Sequence, residues 1–136
     1  MIYAVIDTNI LVAALLSKHD DSATVQVIEH IFNGTITPIH SNQIIDEYRT
    51  VLQREKFKFP TEVQEHLTSA IVKFGLRVTP EDVKISLPDE KDLPFYAAYT
   101  CKSTYYLVTG NKKHFPQEEF IVSPREMIDI LKLHNK

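Results

Sequence analysis

Four short clusters in the chain carry residue types that could do chemistry. They are Asp7 with Asn9 in "VIDTNILVAALL", Glu47 in "SNQIIDEYRTVL", Asp89 and Asp92 in "LPDEKDLPFYAAY", and Thr109 to Asn111 in "YYLVTGNKKHF". All of them offer oxygen. Hard oxygen donors that converge without imidazole or thiolate describe a Mg²⁺ or Mn²⁺ site, held by a few carboxylates and several waters. The common rivals fail on composition. The six histidines, at 19, 30, 40, 66, 114 and 134, include no pair three to five residues apart, and Cys101 stands alone, so zinc spacings are absent. With only Gly34, Gly75 and Gly110, neither a phosphate-cradling loop nor a dinucleotide fingerprint can be built. A phosphatase using Asp7 as nucleophile would want a second acid where the chain has Asn9.

Each cluster also has a purely structural reading. Asp7 follows the apolar run "IYAVI" and is placed to cap the next helix. With Ile44 at zero and about 100° per residue, the stripe Ile44, Ile45, Tyr48, Val51 and Leu52 centres near about 40°. Glu47 then falls near about 300°, at the edge of the stripe, with Asp46 facing outward. Spacing alone favours a solvated flank for Glu47. Pro94 in a first helical turn makes Asp92 a natural N-cap, and Gly110 permits a plain turn after "YYLVT".

The elements that must position these clusters alternate between strand and helix. Strands are expected at Ile2 to Ile6, Ile36 to Ile39, Leu76 to Thr79, Tyr105 to Thr109 and Phe120 to Val122. Helices are expected after Asp7, over Ser22 to Phe32, from Ser41 (as N-cap) to about Glu55, from Thr61 to a C-cap at Gly75, over Leu93 to Lys102, and from Ser123 onward. Capping boxes are expected at Thr61 with Gln64 and at Ser123 with Glu126. The alternation predicts an α/β fold, a parallel sheet with helices on both faces. Ligands in such sheets bind beyond the carboxyl ends of the strands, where Asp7 and the Thr109–Asn111 turn would lie.

At 136 residues with 43% hydrophobic content the chain is expected to be a single domain, 1–136. Its longest apolar run, Ile10 to Leu16, is far too short to span a bilayer, so a soluble cytoplasmic protein with no membrane association is expected. Cys101 in "AAYTCKS" reads as a buried structural thiol.

Taken together and in order, these segments resemble the PIN-domain family of metal-dependent ribonucleases. "VIDTNILVAALL" resembles its opening strand and helix with the first acid; "SNQIIDEYRTVL" the helix with the second, here Glu47; and "LPDEKDLPFYAAYTCKSTYYLVTGNKKHF" the stretch with the third, here Asp92, and the strand-end turn. The resemblance implies a PIN-like fold with four to five parallel strands between helices, and hydrolysis of RNA phosphodiester bonds with Mg²⁺ or Mn²⁺. It places Asp7, Glu47 and Asp92 as metal ligands and, with Asn111, as the catalytic set. Asn9, Thr109 and Asp89 would give outer support to them. The form "VTGNKKHFP" resembles toxins of type II toxin–antitoxin modules, VapC-like, often homodimeric and blocked by a small antitoxin protein. The alternatives are a PIN nuclease of RNA processing or decay with no antitoxin, and a catalytically weak RNA- or metal-binding module. Many members of the family carry a fourth acid where this chain has Asn111, a departure that removes one negative charge from the site.

A net charge of −3 argues against binding nucleic acid by bulk electrostatics, so an RNA substrate would need local cations. Lys112 and Lys113 stand beside the expected site, and "REKFKF" alternates Arg54 and Lys56 with phenylalanines that suit base stacking. The plainer account of that stretch is a basic helix end with its phenylalanines in the core.

Overall fold

The apolar run Ile2–Ile6 forms strand β1, whose Ala4, Val5 and Ile6 are all fully buried. Successive side chains of a strand point to opposite faces, so both faces of the sheet are covered at this point. The computed structural model describes residues 1–134. After β1 come α1 (Thr8–Leu16), α2 (Ala23–Phe32), β2 (Ile36–His40), α3 (Asn42–Leu52), α4 (Thr61–Phe74), β3 (Leu76–Arg77), α5 (Leu93–Tyr99), β4 (Tyr106–Val108), β5 (Ile121–Val122) and α6 (Pro124–His134). Single 3-10 turns occur at Glu55–Phe57, Glu90–Asp92 and Lys112–His114.

All strands are parallel, in the order β3-β2-β1-β4-β5. The chain winds outward from β1 to β3, then crosses back to β4 on the other side of β1. That reversal leaves a crevice between the carboxyl ends of β1 and β4, the place where open α/β sheets bind ligands. The two strands are locked there by the Asp7 N–H, which donates to the Val108 carbonyl at 2.9 Å. Helix α5 packs on β1, β2 and β4, while α2 packs on α1, α4, α6 and β2.

Most element ends fall where local chemistry puts them. Ser22, Ser41 and Ser123 each accept a backbone N–H of the helix they open, and Glu126 closes the box by accepting the Ser123 N–H at 2.9 Å. The expected box at Thr61 does not form: Pro60 takes the N-cap position and Gln64 donates instead to the Phe59 carbonyl at 2.8 Å. β3 stops at Arg77, because as an edge strand it has only β2 to pair with, and that pairing covers Ile39 and His40 alone. The helix from Ser41 ends at Leu52, short of Glu55, and α5 ends at Tyr99, short of Lys102. Cys101, just past α5, is exposed rather than buried. Among the described residues, no helix is long and apolar enough to cross a membrane.

Gly75 caps α4 in an extended conformation, and its value is space. A Cβ there would lie 2.3 Å from the Pro38 carbonyl oxygen and 2.4 Å from that of Ile71. Both obstacles are backbone, so relief requires moving α4 against β2. We expect Gly75→Ala to cost about 1–3 kcal/mol, as overpacking typically does. The check is a lowered urea midpoint at unchanged slope.

Candidate active site

Asp7 occupies the N-cap position of α1 yet caps nothing with its side chain. Its carboxylate is turned across the switch point instead. Oδ2 accepts the Thr109 hydroxyl from the end of β4 at 2.7 Å and the Asn9 amide at 3.3 Å. Thr109 is wholly buried, and its oxygen in turn accepts the Asn111 N–H at 3.0 Å; Asn9 Oδ1 accepts the Gly110 N–H at 3.1 Å. The turn after β4 is thus stitched to the start of α1 around one acid. Gly110 serves here as an N–H donor, since Gly34 is the glycine with positive φ.

Glu47 is brought to the same place by its neighbour. Tyr48 is fully buried on α3, and its hydroxyl donates to the carbonyl of Ile6, the last residue of β1. Burial pushes the Tyr48 hydroxyl well above its ordinary range, so it stays a donor. This strut sets α3 against the strand end, and half-buried Glu47 lines the cleft with Asp7. Arg49, at the other edge of the stripe, is exposed.

Asp92 does not cap α5 as expected. Asp89 does the local capping, accepting the Lys91 N–H at 3.0 Å, and this frees the Asp92 carboxylate to accept from His114 Nδ1 at 3.1 Å. The cleft, of about 510 Å³, is lined by Asp7, Glu47, Asp89 and Asp92, with Asn9, Asn111 and His114 beside them. Burial is the main reason that the Asp7 carboxyl is pushed up to about 6; the Asp92 charge adds to the rise, and the Thr109 hydrogen bond opposes it. Asp92 is also raised, by burial first and then by the carboxylates of Asp89 and Glu47, with His114 opposing. Like charges gathered in a partly dry cleft resist ionisation in this way.

The expected RNA-binding residues divide. Arg54 lines the cleft, and so do Lys91 and Phe57. Phe57 stacks on Phe59 with ring centroids 5.3 Å apart, and Lys56 sits over the Phe57 ring at 5.1 Å, outside the cleft lining. Lys112 and Lys113 face a neighbouring groove with Glu118 and Glu119, and Lys112 is paired with Glu126 at 2.8 Å. Sequence reasoning passed over His114, Lys91 and Tyr48. The signal for His114 was its place three residues after Asn111, in the turn that returns to the site.

The donors fit a divalent cation in kind. They are carboxylate and amide oxygens, and Thr8, which lines the cleft beside Asp7, has a buried hydroxyl with no protein partner, the sort of atom that commonly meets water or an ion. Among the described residues, no three His, Cys, Asp or Glu side chains are gathered closely enough to enclose a metal. A cation here would therefore be held by few protein ligands and keep much of its water, as Mg²⁺ does.

These features define a class: an α/β protein with an acidic, oxygen-lined cleft at the switch point of a parallel sheet. The family model of the PIN domain matches residues 3–113, and the chain belongs to the PIN-domain family, whose members are generally nucleases and typically use divalent metal ions. No curated protein and no solved structure matches it.

Proposed function

We propose that the protein is a Mg²⁺- or Mn²⁺-dependent ribonuclease with its site in the cleft between the ends of β1 and β4. The observation that supports this best is Asp7, a buried acid that declines its capping role and is held by Thr109 and Asn9 facing Glu47 and Asp92. A group so costly to ionise is stabilised in its charged form by a cation. Asp7, Glu47 and Asp92 would hold a hydrated metal, not all of them by direct contact, and the ion when bound supplies charge to the scissile phosphate and lowers the pKa of a water. Asn9 and Thr109 fix the rotamer of Asp7, and Asp89 shapes the turn that delivers Asp92. Arg54 and Lys91 offer the cations that an RNA backbone needs at the rim of an acidic cleft, and Phe57 offers an aromatic ring.

The deciding experiment is cleavage of a mixed structured RNA pool by the purified chain with Mg²⁺, Mn²⁺, Ca²⁺ or EDTA. Activity is expected with the first two, weaker with Ca²⁺, whose larger ion takes more ligands in looser geometry, and absent in EDTA. Cleavage that survives EDTA overturns the reading. Asn111 supports a second reading, a weakly catalytic RNA- or metal-binding module, since it leaves the site one charge short of the family pattern. RNA bound without cleavage at saturating metal would favour it. The reading extends to the toxin of a toxin–antitoxin module on the likeness of "VTGNKKHFP" alone, and a small co-encoded protein that binds the chain and stops cleavage is its test.

A further inference from the structure

His114 lies one residue beyond the segment that the family model matches, yet its ring lines the cleft with Asp7, Glu47 and Asp92. Its Nδ1 stands 3.1 Å from Asp92 Oδ2. An ionised carboxylate can only accept, so Nδ1 carries the proton and donates. The ring does not reach Asp92 by chance of a mobile surface. Its neighbour Phe115 is buried in the core, and the loop continues to Glu118, whose two carboxylate oxygens accept the hydroxyls of Tyr96 at 2.7 Å and Tyr99 at 3.0 Å. Tyr96 and Tyr99 belong to α5, the helix that Asp92 opens. The loop that carries His114 is therefore pinned to the helix that Asp92 opens, through Glu118 on the middle and last residues of that helix.

We propose that His114 is a positioning residue of the site, holding one oxygen of Asp92 so that the other is presented to a divalent cation in the cleft. The inference rests on the metal-site reading above. Asp92 needs such a restraint more than Asp7 does. Asp7 is buried and held by two side chains, whereas Asp92, with its side chain 14% exposed, makes no capping bond, has His114 as its one side-chain partner, and feels the carboxylates of Asp89 and Glu47. Left unrestrained and without a cation, its side chain would turn away from those charges toward solvent. Partners of this kind typically change metal affinity by about 10–100-fold.

The test is Mn²⁺ binding to the full chain, read from the electron-paramagnetic-resonance signal of the free ion, together with melting in EDTA. His114→Phe keeps ring volume and removes the donor; His114→Leu does the same with less bulk and serves if the Phe form does not fold. His114→Asn keeps an amide N–H near the position of Nδ1. The dissociation constant for Mn²⁺ is expected to rise about 10-fold or more in H114F or H114L. H114N should recover most of that loss, and melting in EDTA should change little across the series. A donor-less variant that binds Mn²⁺ as tightly as the wild type, or more tightly, overturns the role of His114 while leaving the metal site standing. A wild type that binds no Mn²⁺ overturns both.

Discussion

Asp7→Asn is expected to abolish RNA cleavage and to make the metal-free protein more stable. The loss of activity, expected to exceed the about 10–100-fold typical of outer support around a metal, would follow if Asp7 is the proposed metal ligand on a rigid strand end. The gain in stability follows from the cost that Asp7 imposes on the fold. Its carboxyl titrates near 6 in the folded chain against an ordinary 3.8, mainly because burial disfavours the charged form. The gap is equivalent to about 3 kcal/mol of stability lost once both states are ionised. The sign is fixed by proton counting: between about pH 4 and pH 6 the folded state holds the proton and the unfolded state has released it, so stability falls as pH rises through that window. Asparagine carries no such charge and can still accept the Thr109 hydroxyl through its amide oxygen.

In denaturant titrations at several pH values in EDTA, the wild type should therefore lose stability from pH 4 to pH 6 more steeply than D7N, which keeps the smaller slope of groups such as Asp92, with the difference largest at pH 7 and above. Adding Mn²⁺ should raise the wild-type midpoint by mass action and leave that of D7N in place. Parallel pH profiles for the two proteins would show that the buried carboxyl is not the strained group. A folded D7N with full metal-dependent activity would remove Asp7 from the site altogether.

The sequence carried the parts of the fold that depend on local pattern. β1 occupies the predicted residues, because five apolar residues ending at an acid leave no other period to choose, and three serine caps open helices where hydrogen-bonding side chains meet free N–H groups. Capping by Asp was less legible. Asp89 and Asp92 both precede Pro94 within reach of a helix start, and only the intervening 3-10 turn decides that Asp89 bonds backbone and Asp92 is released. Glu47 could not be separated from a solvated flank by its angle on the helix, since the decisive contact is the hydroxyl of Tyr48 on the Ile6 carbonyl, between residues 42 apart in sequence. Lys112 and Lys113 adjoin Asn111 in sequence, and the 3-10 turn at Lys112–His114 directs His114 to the cleft and Lys112 to Glu126. Long-range pairings of this type have no period and leave no mark on composition.

Asn111→Asp should lower the metal concentration for half-maximal cleavage and raise the rate when metal is limiting. Asn111 is half-buried and lines the cleft; its backbone N–H is committed to Thr109, but among the described residues its side-chain amide bonds to no other protein group. Replacing it with the nearly isosteric aspartate thus breaks no hydrogen bond and adds a charge beside Asp7, Asp92 and Glu47. Without cation that charge is a burden, because each further carboxylate in the cluster resists ionisation, and N111D should melt at lower temperature than the wild type in EDTA. With Mn²⁺ the order should reverse, since the added charge strengthens attraction for a divalent ion in a partly dry cleft. The crossing of the two melting series is the signature, and it separates a metal effect from a general loss of fold. If N111D needs as much metal as the wild type or more, the amide is serving the substrate or a neighbouring carboxylate as a donor, and the missing fourth charge is not what limits the site.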